Sequence, residues 1–258
     1  LLNFWHRIIF EKRFPYYGSL FQNGTIMFKK IFWYLLIIVL FTLSFAMIFN
    51  KPIEHYVIKN YKPTISREII AKSESEKVVK SEFNWNKSKP LSSSGVLSGI
   101  VSRPGYIGLV CIPDLDINLP ISKGTSDDSL SLGAGTLYQD QKMGEDNYSL
   151  ASHFVQGSNH KNLLFSPIYY RGTVGEKIYL TDLKNVYVYE TTSVKIVRPT
   201  DIDVTNPVNG KKLVTLITCD YTADQGRIVM QGQLKEVTSW NKASTYVHNQ
   251  FSKKAKVL

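Results

Sequence analysis

The chain has 258 residues, of which 43% are hydrophobic and 20% are charged, enough for one domain of ordinary size with additional segments. Its formal net charge of +10 lies in the flanks, because residues 1–49, 50–99 and 241–258 each carry +4 whereas residues 100–240 carry −2. A compact nucleic-acid-binding domain carries its positive patch on the fold, so we expect no nucleic-acid partner. Flanking positive charge suits a membrane surface or an anionic cell wall, or is simply solvated.

An apolar segment near the N-terminus, Ile31–Phe49, predicts one transmembrane anchor at residues 31–49. It contains no charged residue, Gly or Pro, and as a helix it would span about 28 Å, close to the hydrocarbon thickness of a bilayer. Lys29 and Lys30 precede it, so by the positive-inside tendency residues 1–30 are cytoplasmic and everything after residue 50 is extracellular. Because Met27-Phe-Lys-Lys resembles the natural start of an anchored protein, our hypothesis is that residues 1–26 are an upstream extension.

Residues 50–99 are rich in Lys, Glu and Ser and predict an extracellular stalk between the membrane and the folded domain. Ser66–Lys80 could form a polar helix within it. Lys87–Gly99 is rich in Ser and contains Pro and Gly, which is typical of a flexible connection.

Residues 100–240 predict an all-β domain, either a barrel or a sandwich, because short apolar runs alternate there with turn signals. A short helical turn is expected near Ser126–Leu132, and residues 241–258 are predicted to form a basic C-terminal tail. The candidate strands are Tyr106–Ile112, Ile117–Ile121, Tyr148–His153, Lys177–Thr181, Val186–Glu190, Ser193–Val197, Leu213–Cys219 and Arg227–Leu234.

A cysteine and an arginine occupy the facing ends of two of these strands. Cys219 ends the run Leu213–Cys219, which is apolar on both faces like an interior strand, and Arg227 begins the next strand. If the two strands form a hairpin, these residues are cross-strand neighbours with Cβ atoms about 5 Å apart. The alternative is a buried cysteine and a surface arginine that have no shared chemistry.

A cysteine nucleophile needs a proton-transfer partner, and the chain has 5 histidines. Only His153 and His160 lie within the predicted domain. His153 ends a candidate strand and is therefore held more rigidly than His160, which lies deep in the following loop. We therefore prefer His153.

These residues resemble a known family. Thr215-Leu-Ile-Thr-Cys219 fits the T-L-x-T-C signature of sortases, Arg227 lies where that family has its arginine, and Ala151-Ser-His153 resembles the segment around its essential histidine. Other segments are similar to the sortase framework, and the resemblance covers roughly residues 103–237. These segments are Ile107–Pro113, Asn162–Pro167 and Arg198–Thr200.

The resemblance implies an eight-stranded β-barrel enzyme that joins surface proteins to the cell wall of Gram-positive bacteria. The expected substrate is an LPxTG-type sorting signal, cut between Thr and Gly through a thioacyl-enzyme on Cys219. An amine of a cell-wall precursor such as lipid II would resolve that intermediate. His153 would transfer protons, and Arg227 would stabilise the oxyanion or hold the substrate backbone.

The resemblance also gives candidates for binding the sorting signal. Ile202 and Val204 match the loop before the cysteine strand, Ala151 lies beside His153, and Thr218 directly precedes the nucleophile. The second cysteine, Cys111, lies in an apolar strand and is interpreted as a core residue.

We expect no cofactor and no metal. Some sortases bind calcium through acidic loop residues, and Asp114 and Asp116 could contribute to such a site. However, Cys111 and Pro207 stand where acidic ligands would be expected. The chain shows no apparent C-terminal membrane span, which favours a class A-like anchoring role. The alternatives are a pilin-polymerising or variant-signal sortase, a hydrolase that does not ligate, and a non-catalytic wall-binding module.

Overall fold

The computed structural model describes residues 15–75, 83, 90–156, 162–219 and 226–258, and for residues 15–26 and 219 it describes the backbone alone. The chain divides into two compact units, Leu1–Lys51 and Pro52–Leu258. The helices are α1 (Pro15–Ile48), α2 (Asn50–Asn60), α3 (Arg67–Ser75), α4 (Ser93–Ser102), α5 (Asp127–Leu132), α6 (Ser166–Arg171) and α7 (Thr245–Ser252). The strands are β1 (Thr64–Ile65), β2 (Tyr106–Ile112), β3 (Ile117–Ser122), β4 (Ala134–Thr136), β5 (Asn147–Ala151), β6 (Lys177–Thr181), β7 (Asn185–Val197), β8 (Leu213–Cys219), β9 (Arg227–Ser239) and β10 (Lys256–Val257).

Helix α1 contains the predicted membrane segment. Within it, Met27–Ile48 has 22 residues with a mean hydropathy of 2.5, which makes it long and apolar enough to cross a bilayer. Residues 1–14 lie outside the described residues, and the hypothesis that residues 1–26 are an extension stays a prediction.

The second unit is built on a closed barrel of eight strands in the order β2-β3-β4-β5-β8-β9-β7-β6, which confirms the predicted all-β barrel. Strands β2, β6 and β8 have the predicted bounds. Alternate residues of β8 and β9 fill the interior, and Val214, Leu216, Ile228 and Met230 all belong to the main core. This alternation follows from the two-residue period of a strand, which assigns the intervening positions to the outer face.

Three details of the strand prediction are wrong. The strand predicted at Tyr148–His153 is β5, Asn147–Ala151, so it ends before His153. The runs Val186–Glu190 and Ser193–Val197 are one strand, β7, with a register shift between Thr191 and Ser193 where it pairs with β9. Strand β4 was missed because Ala-Gly-Thr is too short to show any alternation. Helix α5, by contrast, confirms the helical turn expected near Ser126–Leu132.

Segments predicted to lie outside the catalytic domain belong to the same compact unit as the barrel. Helices α2, α3 and α4 fall within the predicted stalk, and Ile58 of α2 and Val96 of α4 join the main core. The predicted tail forms α7 and β10; Phe251 of α7 is fully buried in a second core with Ile65 and Ile70, and β10 pairs in parallel with β1.

The compact unit therefore begins earlier and ends later than the predicted domain of residues 100–240. The physical reason is that each flanking segment buries only one or two large apolar side chains. Its overall composition is polar, so the sequence does not indicate that it packs on the barrel. The flexible connection predicted at Lys87–Gly99 ends in α4, whose first turn is capped by the Ser92 side chain. Residues 76–82 and 84–89 of the predicted stalk lie outside the described residues.

Candidate active site

Cys219 and Arg227 lie at the same end of the barrel, and the segment that carries His153 continues from β5 at that end. Strand β8 lies between β5 and β9, and Cys219 is the Cα partner of Arg227 in the antiparallel pair β8–β9. On the other side, the parallel pair β5–β8 sets Ala151 opposite Ile217. His153 follows two residues after Ala151, so its segment leaves the β5–β8 pairing at the end of β8 that carries Cys219.

Backbone contacts fix the segment that carries His153. The Ser152 amide donates to the Ile217 carbonyl at 3.1 Å, which extends the β5–β8 pairing by one residue, and the Ser152 hydroxyl donates to the Gly133 carbonyl at 2.6 Å. The His153 carbonyl accepts from the Phe165 amide at 3.4 Å. The prediction that His153 ends a strand is wrong, because β5 ends at Ala151, but these hydrogen bonds fix the backbone of Ser152 and His153. His160 lies outside the described residues.

The His153 imidazole is 8% exposed, and this burial lowers its pKa from 6.5 to about 4. The negative charges of Asp127 and Glu54 act in the opposite direction and raise the pKa. At neutral pH the ring is accordingly uncharged in this structure and has one nitrogen free of a proton.

Two carboxylates that act on His153, those of Asp127 and Glu54, were not expected from the sequence. Asp127 begins α5, whereas Glu54 belongs to α2, is 3% exposed and accepts a hydrogen bond from the Ser93 hydroxyl at 2.6 Å. The sequence carries no signal for Glu54, because a residue so distant along the chain approaches His153 only through the packing of α2.

Arg227 is half-buried at the first position of β9. Its Nη1 donates to the Gly226 carbonyl at 2.9 Å, which holds the guanidinium close to the strand end. Because a guanidinium offers several donors in a planar fork, Arg227 can contact a substrate carbonyl in addition to this backbone oxygen.

The two cysteines lie in different strands, β8 and β2. Cys219 is a strand-end position of β8, and residues 220–225 after it lie outside the described residues. Cys111 is a free thiol, 2% exposed in the second core, and burial raises its pKa to about 12. The interpretation of Cys111 as a core residue is confirmed.

The candidate substrate-binding residues lie in three different environments. Ala151 and Val204 belong to an apolar cluster on the outer face of the barrel, together with Ile217 and Val229. Ile202 is 44% exposed in the 3-10 helix Ile202–Thr205. Thr218 is 3% exposed and alternates with Ile217, so it lies on the inner face, and its position does not support direct substrate contact.

The acidic residues considered for calcium lie beside β2 and β3. Asp114 is in the 3-10 helix Pro113–Leu115, and the Asp116 carboxylate is 3.6 Å from the Lys254 ammonium. Within the described residues, no group of three or more His, Cys, Asp or Glu side chains could hold a metal ion. The expectation that no calcium is required stays a prediction.

Comparison with known proteins gives a consistent result. Residues 110–235 match the family model described as Sortase domain. Sortase A of Streptococcus agalactiae serotype III (strain NEM316) is 35% identical over 227 residues, which are 86% of this chain and 92% of that protein. Sortase A of Listeria monocytogenes serovar 1/2a is 34% identical over 163 residues, or 62% of this chain and 71% of that protein.

A solved structure agrees with these relatives. The crystal structure of Listeria monocytogenes sortase A superposes with a TM-score of 0.52 at 35% identity, covering 58% of this chain and 99% of that one. The matched region contains the strands that carry Cys219 and Arg227, and the similarity to the streptococcal relative extends over most of the chain. The chain therefore belongs to the sortase family.

Proposed function

We propose that this protein is a membrane-anchored cysteine transpeptidase in which Cys219 is the nucleophile, His153 transfers protons and Arg227 stabilises the oxyanion. The observation that supports the proposal is the pairing of Cys219 with Arg227, together with the Ser152–Ile217 hydrogen bond that keeps the segment before His153 beside β8. A nucleophile, a base and a cationic donor at adjacent positions are the parts that acyl transfer requires.

In the first half-reaction, the sulfur of Cys219 attacks the Thr carbonyl of an LPxTG-type signal. The thiol proton passes to the neutral His153 imidazole, and a tetrahedral oxyanion forms. The C–N bond to Gly then breaks, His153 gives its proton to the departing amine, and a thioester with Cys219 remains.

In the second half-reaction, the amine of a cell-wall precursor such as lipid II attacks the thioester carbonyl. His153 takes a proton from this amine, the C–S bond breaks, and the proton returns to the sulfur of Cys219. A new amide bond thus replaces the old one, and the enzyme is regenerated without any external cofactor.

The electrostatic setting of His153 supports this sequence of proton transfers. Burial keeps the resting imidazole neutral, so it is ready to accept a proton when the thiol attacks. Asp127 and Glu54 supply negative charge that favours the imidazolium formed in between. A base that is neutral at rest and stabilised when protonated suits a reaction in which the same proton is taken and returned.

The outer face of the barrel supports recognition of the sorting signal. Its apolar cluster includes Ala151 and Val204 together with Ile217 and Val229, which lie two residues from Cys219 and Arg227 in β8 and β9. Ile202, two residues before Val204 in the chain, is 44% exposed and is available to contact the Leu and Pro of the signal. The proposed substrates are therefore LPxTG-bearing surface proteins.

The proposed location is the outer side of the cell membrane, with α1 as a single-pass anchor. Met27–Ile48 has the length and hydropathy of a membrane span, and Lys29 and Lys30 near its start favour a cytoplasmic N-terminus. This arrangement puts the Pro52–Leu258 unit where surface proteins and wall precursors are found.

The test is a transpeptidation assay on the full chain in a non-ionic detergent. An LPxTG peptide and an excess of an amine acceptor are incubated with the protein, and the products are followed by mass spectrometry. We expect cleavage between Thr and Gly with the amine attached, abolished in Cys219→Ala and retained in Cys111→Ala, which removes the buried thiol instead.

Other outcomes would assign a different function. Cleavage without attachment of the amine would indicate a hydrolase. No cleavage of LPxTG and of its sequence variants by folded protein would refute the transpeptidase and favour a wall-binding module.

A further inference from the structure

A cavity outside the active site lies between the segment that links α2 to α3 and the end of α4. It has a volume of about 620 Å³, within the range of small-ligand sites. The cavity is lined by three basic residues, Lys62, Lys72 and Arg103, and by no acidic residue among those that the structure describes. Three cations without a carboxylate make the cavity a site of positive potential.

Two of these cations are not neutralised locally. Within the residues that the structure describes, neither the Lys62 ammonium nor the Arg103 guanidinium forms an ion pair or a side-chain hydrogen bond. Arg103 caps α4 in the left-handed region, with φ of 49°, and its amide donates to the Gly99 carbonyl. Its backbone is thereby fixed at the rim of the cavity while its guanidinium stays available for a ligand.

Hydroxyl groups add a neutral donor to the cavity wall. The hydroxyls of Tyr61 and Tyr106 are 2.7 Å apart and share one hydrogen bond. Since each hydroxyl has one proton, the pair keeps a second proton that can be donated to an anion. Burial and the contact with Tyr61 raise the pKa of Tyr106, so this proton is retained at neutral pH.

The surroundings of the cavity suit a membrane lipid. Only the 11-residue helix α2 and a few residues separate the apolar span from Lys62 in the chain. Helix α4 contains no charged residue, and Leu97 and Val101, one turn apart, are 63% and 83% exposed. An exposed apolar pair beside basic residues is typical of a helix at the membrane interface.

We propose that this cavity binds the phosphate group of an anionic membrane lipid. Arg103 and the lysines would hold the phosphate oxygens, the tyrosine pair would donate one further hydrogen bond, and Leu97 and Val101 would contact the acyl region. Such a site would hold the catalytic unit against the membrane. This inference does not depend on the activity of Cys219.

The test measures lipid binding to the full chain in a neutral detergent by native mass spectrometry. The probes are short-chain phosphatidylglycerol, short-chain phosphatidylcholine and inorganic phosphate. We expect phosphatidylglycerol to bind at least tenfold more tightly than phosphatidylcholine, and this preference to be lost in the double variant Lys62→Ala/Arg103→Ala. The matched control, Lys211→Ala/Lys212→Ala, removes two exposed lysines before β8 and should keep the preference.

Each alternative outcome overturns the proposal. Equal binding of both lipids, or an equal loss of preference in the control variant, would show that the cavity does not recognise the lipid phosphate. Inorganic phosphate that binds as tightly as phosphatidylglycerol would assign a free anion rather than a lipid. Thermal unfolding of both variants checks that neither result comes from a loss of the fold.

Discussion

The burial of His153 predicts a specific pH dependence of stability, which the variant His153→Gln can isolate. The pKa of His153 is about 4 in the folded protein and 6.5 in an ordinary environment, chiefly because burial disfavours the charged ring. Between these values the unfolded chain binds a proton that the folded chain does not. Stability is therefore highest above pH 6.5 and falls as the pH decreases toward 4.

The magnitude follows from the same two pKa values. Lowering the pH from 7 to 5 should reduce the free energy of unfolding by about 2 kcal/mol through His153 alone. For a unit of roughly 200 residues, this corresponds to a decrease of about 4–8 °C in Tm. The amide side chain of glutamine does not titrate in this range, so His153→Gln should lack this part of the decrease.

The assay is thermal unfolding of the full chain in detergent at pH 7 and pH 5. We compare the decrease in Tm of the wild type with that of His153→Gln, and use His248→Gln as a control for the loss of a histidine that packs elsewhere, on Trp240. If His153→Gln and the wild type lose the same stability, His153 titrates normally in the folded protein. Our account of a resting neutral base would then be wrong.

Three further predictions concern other parts of the chain. Phe251→Ala should lower the free energy of unfolding by about 3–5 kcal/mol, measured by denaturant titration, because Phe251 is fully buried in the second core with Ile65 and Ile70. A thiol-alkylating reagent at neutral pH should label the folded chain at Cys219 and leave Cys111 unmodified, as judged by peptide mass spectrometry. Ile202→Ala should raise the KM for the sorting peptide several-fold without changing Tm, whereas Val208→Ala, with a similar exposure of 43%, should not change KM.

Each of these predictions has an outcome that contradicts it. Tyr246 lies on the same helix as Phe251 but is 53% exposed, so a loss in Tyr246→Ala as large as in Phe251→Ala would mean that α7 does not pack as described. Labelling of Cys111 at the rate of Cys219 would place Cys111 outside the core. An unchanged KM in Ile202→Ala would remove Ile202 from the substrate-binding residues.

Much of the barrel could be predicted because its strands carry local signals. Leu213–Cys219 is bounded by polar turns and alternates two apolar sets, and the structure gives that strand the predicted bounds. The neighbouring Arg227 could be placed opposite Cys219 because a hairpin brings the end of one strand to the start of the next. His153 was preferred over His160 because it was expected to end a strand, whereas β5 ends two residues earlier, at Ala151.

The sequence could not show which strand lies beside β8 on its other side. The parallel pairing of β5 with β8 joins residues far apart in the chain, and no local pattern specifies such a register. The same limit applies to Thr218, which looks suitable for substrate binding by adjacency to Cys219 but lies on the inner face. Successive side chains of a strand point to opposite faces, so two residues next to each other in the sequence do not share a face.

The sequence by itself determined the apolar span and an all-β domain, because each depends on residue type and short spacing, and its resemblance to sortases supplied the eight-stranded barrel and the three candidate residues Cys219, His153 and Arg227. Only the tertiary structure decided that α2, α4 and α7 belong to the same unit as the barrel, that Glu54 acts on His153, and that a basic cavity lies beside α4. The physical reason is that burial and electrostatic environment are properties of groups brought together from distant parts of the chain. These properties arise only when the chain has folded.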